Sequence, residues 1–398
     1  MKKLLSILLF FAIISSASVA GFAEFDKNIV AESKTSIYSN ADIDLPHSVG
    51  AVYLCEATTG KVLYAENEFK AASPASVTKV MTLLLVCEAL EAGKFKLDDT
   101  VRVSARAASM GGSQVFLEEG EKITVEDLIK SAVIASGNDA SVALAELTAG
   151  SEEAFVKMMN RRAAELGLKN TSFENATGLD DTTKEHYSCA ADIGIMSREL
   201  IKHSLILEYS SIWQDSIRDG EFTLTNTNRL VRYYDGCNGL KTGSTDKAGY
   251  CITATAKRGN MQLIAVVMGA STRDERNEVA RCLLDFGFAN YGLYERDEAF
   301  IEYADIRGGT KDETALYSTK FSIVVNRADI AKISLEYDIP EYLSAPLLVS
   351  DIVGKIRYKI GDEQIGTSDI ILKESVDRIN YGELLMRIIK IIVCGQKT

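Results

Sequence analysis

Hydrophobic and polar positions change period several times along the chain, and each change marks an element. Residues 49–56 and 61–65 are strand-like apolar runs around Ala57-Thr58-Thr59-Gly60, which predicts a hairpin. A helix follows. Ser73 offers an N-cap, Pro74 suits the first helical position, and the run extends to Glu91 before Gly93. Val77, Val80, Met81, Leu83, Leu84, Leu85 and Val86 leave it little polar face, so it is expected to be buried. Residues 124–149 and 151–166 predict two more helices, each opened by Thr or Ser with acids in the first turn. Apolar runs at 249–257 and 261–269, joined by Arg258-Gly259-Asn260, predict a second hairpin, and 273–291 returns to helix. Strands at both ends with helices between them predict an α+β domain whose sheet draws on both ends of the segment.

From about residue 295 the pattern shifts. Short strand-like runs at 321–326, 332–337, 353–360 and 368–372 alternate with polar turns, with Pro340 and Pro346 in a connecting loop. A small all-β domain is expected there. The N-terminus reads as an export signal: Lys2 and Lys3, an apolar run at 4–14, then small residues offering cleavage after Ala20 or Ala23. At the other end Leu384, Leu385, Ile388, Ile389, Ile391 and Ile392 recur at near-helical spacing, interrupted by Arg387 and Lys390. That segment is too short and too charged to span a bilayer. It would lie in the membrane interface or pack on the protein itself.

Composition narrows the function. The 398 residues are 46% hydrophobic and 25% charged, as in soluble globular proteins, and the net charge of −12 disfavours a nucleic-acid partner. The seven cysteines are scattered without a C-x-x-C, so no disulfide scaffold is expected. His47, His186 and His203 form no H-E-x-x-H, and no metal or other cofactor is expected. No G-x-S-x-G elbow supports a Ser-His-Asp triad either.

Three short motifs carry the chemistry: Ser76-Val77-Thr78-Lys79, Ser136-Gly137-Asn138 and Lys241-Thr242-Gly243. An S-x-x-K alone arises by chance about once or twice in a chain this long, but the ordered set is specific. On a helix, positions i and i+3 share a face, so Ser76 and Lys79 can meet. A serine hydroxyl is a weak nucleophile and needs a base. Lys79 can be that base only when neutral, which burial and a nearby cation such as Lys241 would favour.

The chain resembles the low-molecular-mass penicillin-binding proteins of the D-alanyl-D-alanine carboxypeptidase family. The resemblance covers residues 40–375 and includes Pro74-Ala75-Ser76-Val77-Thr78-Lys79, Ser136-Gly137-Asn138-Asp139-Ala140, Asn175-Ala176-Thr177-Gly178-Leu179-Asp180 and the stretch from Lys241 to Tyr250. It implies a penicillin-binding, β-lactamase-like transpeptidase domain, an antiparallel sheet with a helical cluster, at 40–292. A small β-rich domain at 295–375 and an amphipathic segment at 376–398 would follow, after a signal peptide at 1–23. It also implies that Ser76 is acylated, Lys79 takes its proton, and Ser136 relays a proton to the leaving D-alanine. Asn138 would hold the peptide backbone. Lys241, Thr242 and Gly243 would form the carboxylate site, with Arg229 and Arg276 near the cleft. The N–H groups of Ser76 and Ser244 would form the oxyanion hole; Ser244 replaces a histidine common in the family, which a backbone donor tolerates. The implied partners are peptidoglycan stem peptides ending in D-Ala-D-Ala, β-lactams, and the outer face of the cytoplasmic membrane, reached by an exported enzyme. A β-lactamase is the main rival, but Glu174 lacks the E-x-x-L-N setting of a deacylating glutamate. A D,D-endopeptidase and a non-catalytic β-lactam sensor share the same motifs.

Overall fold

A computed structural model describes residues 43–181 and 183–394; the expected signal peptide lies outside them. Strands β1 (Ala51–Glu56) and β2 (Val62–Glu66) form the first hairpin, and β3 (Cys237–Thr245), β4 (Gly249–Arg258) and β5 (Met261–Ala270) supply the rest of one antiparallel sheet. The order β2-β1-β5-β4-β3 joins the two ends of the segment, as expected. Ala51, Tyr53 and Cys55 of β1 point into one core, while Val52 and Leu54 point into another. Both faces of the central strands are therefore covered, which explains their unbroken apolar runs.

On one face lie α1 (Lys79–Glu91), α2 (Val125–Val133), α3 (Asn138–Ala149), α4 (Glu152–Glu165) and α5 (Ala190–Leu200); α6 (Arg273–Asn290) covers the other. Helix α1 is buried almost all round, in keeping with its composition. Two local expectations need correction. Ser73 caps nothing: its hydroxyl donates to Asp180 Oδ2 at 2.8 Å, and the helix opens through a 3₁₀ turn at Ala75–Thr78 with Pro74 at its cap position. Residues 124–149 are not one helix. They break after Val133, where Ser136 adopts φ 63° and α3 restarts at Asn138. Thr124 and Ser151 do cap α2 and α4, accepting from the N–H groups of Asp127 and Ala154.

After α6, β6 (Tyr291–Arg296) pairs with β9 (Phe321–Asn326). A separate sheet contains β7 (Ala299–Arg307), β8 (Glu313–Ser318), β10 (Ile333–Asp338), β11 (Ile352–Ile360) and β12 (Glu363–Leu372). Strands β7 and β8 were not expected, and β7 is largely solvent-facing. Helix α7 (Tyr381–Cys394) ends the described chain.

Packing of α5 on β1 yields a test. A Cβ on Gly194 would lie 2.4 Å from Cε1 of the Tyr53 ring. Alanine favours a helix by about 1 kcal/mol over glycine, but overpacking costs about 1–3 kcal/mol. Gly194→Ala should therefore lower Tm in a thermal melt rather than raise it.

Candidate active site

Side chains three apart eclipse in a 3₁₀ turn, which stacks Lys79 beneath Ser76. Lys79 Nζ donates to Ser76 Oγ at 3.0 Å, to Asn138 Oδ1 at 2.6 Å and to the Thr177 carbonyl at 2.8 Å. Its side chain is completely buried. Ser136 sits in the break before α3, where a left-handed backbone aims its hydroxyl back into the fold. Lys241 Nζ donates to Ser136 Oγ at 2.8 Å and to the Thr242 carbonyl at 2.9 Å. Two serine–lysine pairs thus meet from three separate stretches of chain.

Neither ammonium is hydrogen-bonded to a carboxylate; every acceptor named is a neutral oxygen. Burial pushes Lys79 well below the ordinary lysine value, and the charge of Lys241 adds to this against the pull of Asp139. Lys241 is brought down to about 7 by burial and then by Arg276. Arg276, also buried, falls to about 10, again through burial first and Arg273 second. A neutral Lys79 next to a serine hydroxyl is equipped to accept its proton.

Ser76, Ser136, Thr242, Gly243, Ser244, Arg229 and Arg276 line one cleft of about 550 Å³. Lys79, Asn138 and Lys241 are not among its lining residues, a departure from two expectations. Asn138 already spends its amide oxygen on Lys79 and donates from Nδ2 to the Gly111 carbonyl at 2.7 Å, so it does not face the cleft as a peptide clamp would. Lys241 likewise stands behind Ser136, leaving Thr242 and Arg276 to line the cleft.

Several residues that hold the site together carried no assigned role in the sequence reading. Asp180 Oδ2 accepts from Ser73 at 2.8 Å and from Thr245 at 2.6 Å, tying the turn before Ser76 to the end of β3. Asn175 Oδ1 takes the N–H groups of Thr177 and Gly178 and fixes the loop that presents the Thr177 carbonyl to Lys79. The motif of residues 175–180 was visible, but only tertiary contacts explain it. Asp139 accepts from the N–H groups of Val115 and Leu117 and shapes the loop that brings Ser113 to the cleft. His186, set aside as structural, is buried, is held neutral near pKa about 4 by burial, and bonds Thr78 Oγ1 at 2.8 Å. Trp213, Tyr233 and Arg273 line the cleft without any motif to mark them. Glu174 accepts from the N–H groups of Lys184 and Glu185 and lines a different cavity from Ser76. Among the described residues no group of three or more His, Cys, Asp or Glu could hold a metal ion.

Comparison with known proteins gives the same picture. Residues 39–272 match the D-alanyl-D-alanine carboxypeptidase family and 288–378 match the C-terminal domain of penicillin-binding protein 5. The chain is 43% identical to D-alanyl-D-alanine carboxypeptidase DacF of Bacillus subtilis, over 97% of this chain and 98% of that one. It is 35% identical to DacC of Escherichia coli over 81% and 83%. The crystal structure of penicillin-binding protein 5 from Haemophilus influenzae superposes with a TM-score of 0.74 at 30% identity, covering 85% of this chain and all of that one. That of penicillin-binding protein D2 from Listeria monocytogenes in its ampicillin-bound form gives 0.57 at 32% identity, covering 62% and 99%.

Two measurements test this geometry. A Cβ on Gly178, at φ 85°, would fall 1.8 Å from the Ala75 carbonyl oxygen, so Gly178→Ala should slow penicillin acylation at least tenfold and lower Tm. Lys241 binds its proton less tightly in the fold than in the unfolded chain, so between about pH 7 and its ordinary value of 10.5 the unfolded state holds more protons and stability rises with pH. Lys241→Met should then be stabilising in urea unfolding below pH 7, by a margin that shrinks toward pH 10, while acylation slows by about a hundredfold or more.

Proposed function

The chain belongs to the D-alanyl-D-alanine carboxypeptidase family and is a serine-type carboxypeptidase, and on that premise we propose that Ser76 is its nucleophile and Lys79 the base that activates it. The observation that carries this assignment is the 3.0 Å contact between a fully buried Lys79 amine and Ser76 Oγ. The family acts on peptidoglycan peptides ending in D-Ala-D-Ala and binds β-lactams. In this chain neutral Lys79 takes the Ser76 proton as Oγ attacks the carbonyl of the penultimate D-alanine. The N–H groups of Ser76 and Ser244 receive the developing oxyanion. Thr242, Gly243, Ser244 and Arg276 bind the terminal carboxylate, with Arg229 at the rim and the charge of Lys241 beneath. Ser136 gives a proton to the leaving amine as the C–N bond breaks and regains one from Lys241, while the proton that Lys79 took from Ser76 passes to Lys241 and leaves Lys79 neutral. Water then loses a proton to Lys79 and hydrolyses the ester, and Ser76 Oγ takes that proton as it leaves. Asn138 acts by positioning Lys79.

The close approach of β3 supports this arrangement: a Cβ on Gly243 would lie 2.7 Å from the Ser76 nitrogen, so only glycine lets the strand and the turn share one cleft. A β-lactam that acylates Ser76 would be released slowly, since Glu174 is occupied elsewhere.

The same reading assigns the peptidase domain to 40–292, the β-rich domain to 295–375, and an export signal to 1–23. It puts the enzyme outside the cytoplasm, with 376–398 lying on the outer face of the cytoplasmic membrane. In support, Leu384, Leu385, Ile388, Ile389, Ile391 and Ile392 of α7 are 42–75% exposed rather than packed on the protein. No helix among the described residues is long and apolar enough to cross a membrane.

Two experiments decide these points. Fluorescent penicillin should label the protein covalently, and a D-Ala-D-Ala-terminated pentapeptide should release D-alanine, both being lost in Ser76→Ala; labelling without release would leave only a sensor. Deleting residues 381–398 should abolish sedimentation with anionic lipid vesicles and leave peptide hydrolysis intact, and equal sedimentation of both proteins would refute the anchor.

A further inference from the structure

The β-rich domain exposes apolar side chains at a place where turn chemistry calls for polar ones. Leu348, Val349, Ser350 and Asp351 form a tight turn, closed by the Asp351 N–H donating to the Leu348 carbonyl at 3.1 Å. The Asp351 carboxylate also accepts the Leu348 N–H at 2.7 Å, and Ser350 takes a left-handed φ of 70°. Glycine, proline, asparagine, aspartate or serine usually fill such turns. Here Leu348 is 65% exposed, Val349 56% and the adjoining Ile352 61%, while the preceding Leu347 packs into the core. Two more backbone bonds hold the turn rigid: the Ser350 N–H donates to the Leu372 carbonyl at 2.8 Å, and the Leu372 N–H to the Asp351 carbonyl at 3.3 Å. The fold thus fixes three apolar side chains on its surface.

The surroundings identify what covers them. Leu347 exchanges both backbone hydrogen bonds with Val376 at 2.9 Å, and the Ile379 N–H donates to the Gly308 carbonyl at 2.9 Å. The turn is therefore fastened to the stretch that leads into α7. Within α7, Arg387 donates to Asp312 Oδ1 at 2.6 Å and to the Thr310 carbonyl at 3.1 Å. Glu383, Arg387 and Lys390 share one stripe of that helix, so this contact turns the polar stripe toward the β-domain and leaves the leucines and isoleucines exposed. Upstream of the turn, the Arg307 guanidinium lies 3.2 Å from the centroid of the Tyr342 ring, and Tyr381 is exposed at the start of α7. Tyrosine and arginine bordering apolar side chains are the composition of a surface that meets lipid headgroups.

We propose that the turn carrying Leu348 and Val349 is a second membrane contact, whose side chains enter the headgroup–acyl boundary of a phospholipid bilayer together with Ile352. The inference rests on the reading of α7 as the membrane anchor and adds a contact made by the folded domain itself. Helix α7 supplies most of the affinity, because its apolar area is far larger. The turn supplies orientation. One helix leaves the domain free to rock about the helix axis, whereas a second fixed point sets its tilt on the bilayer.

The test uses the full chain and vesicles of phosphatidylcholine with phosphatidylglycerol. Val349→Trp places a reporter at the tip of the turn, and the wild type, whose only tryptophan is Trp213 in the cleft, sets the baseline. Vesicles should shift the emission of Val349→Trp to the blue, and brominated acyl chains should quench it, with neither change in the wild type. A variant carrying both Leu348→Asn and Val349→Asn should bind vesicles about tenfold more weakly while keeping its Tm and penicillin labelling. Unchanged Val349→Trp emission on vesicles that the protein does bind would overturn the inference and leave α7 as the sole anchor. So would a concentration-dependent dimer in lipid-free buffer that the double variant dissolves with vesicle binding unchanged, since a second copy would then cover the turn. Failure of the wild type to bind vesicles at all would overturn the α7 reading as well.

Discussion

Two lysine amines lie buried behind one small cleft, and the oxygens that hold them are all uncharged. A charged ammonium in such a place is strongly disfavoured, so the fold itself prepares the base. The effect runs in series. Arg276 presses on Lys241, and Lys241 presses on Lys79, so each cation holds the next one less protonated. In the proposed reaction the substrate carboxylate binds at the outer end of this series. It then offsets Arg276 and returns proton affinity to Lys241, where Ser136 needs a proton for the leaving group.

Much of the surrounding architecture serves that burial. Helix α1 is apolar on every side because Lys79 needs low-dielectric walls, and a helix with one wet face would let solvent reach the amine. The central sheet is covered on both faces, which fixes β3 firmly enough to hold Lys241 against Ser136. Close backbone approaches complete the enclosure: the 175–180 loop passes Ala75 at Gly178, and β3 meets Ser76 at Gly243. Asp180 clamps the two ends of this arrangement with one carboxylate oxygen. Displacements of about 1 Å matter in such a site, and these contacts set the positions on which the chemistry depends.

The rim of the cleft obeys a different logic. Arg229, Tyr233 and Arg273 are exposed and Trp213 is half-buried, and they come from the short loops around Trp213, Arg229 and Tyr233 and from the start of α6. Nothing in the core requires them. Residues of this kind govern which substrates enter rather than how the bond is broken, and they change without disturbing the buried pairs.

Local pattern and motif order were enough to establish the hairpins, the buried first helix, the α+β arrangement and the three motifs. Each of those depends on short-range periodicity or on residue types at fixed spacing. Tertiary packing decided the rest. Ser73 looks like a helix cap in sequence, but Asp180, more than a hundred residues away, takes its hydroxyl. Asn138 looks free to grip a peptide, but Lys79 and Gly111 occupy its amide. Strand β7, largely solvent-facing, is defined by its pairing with β8 rather than by a pattern of its own. Ser76 and Lys79 were legible as a pair from their spacing, whereas the protonation state that makes the pair reactive was not. Proton affinity is set by burial and by distant charges, and only the folded chain brings those together.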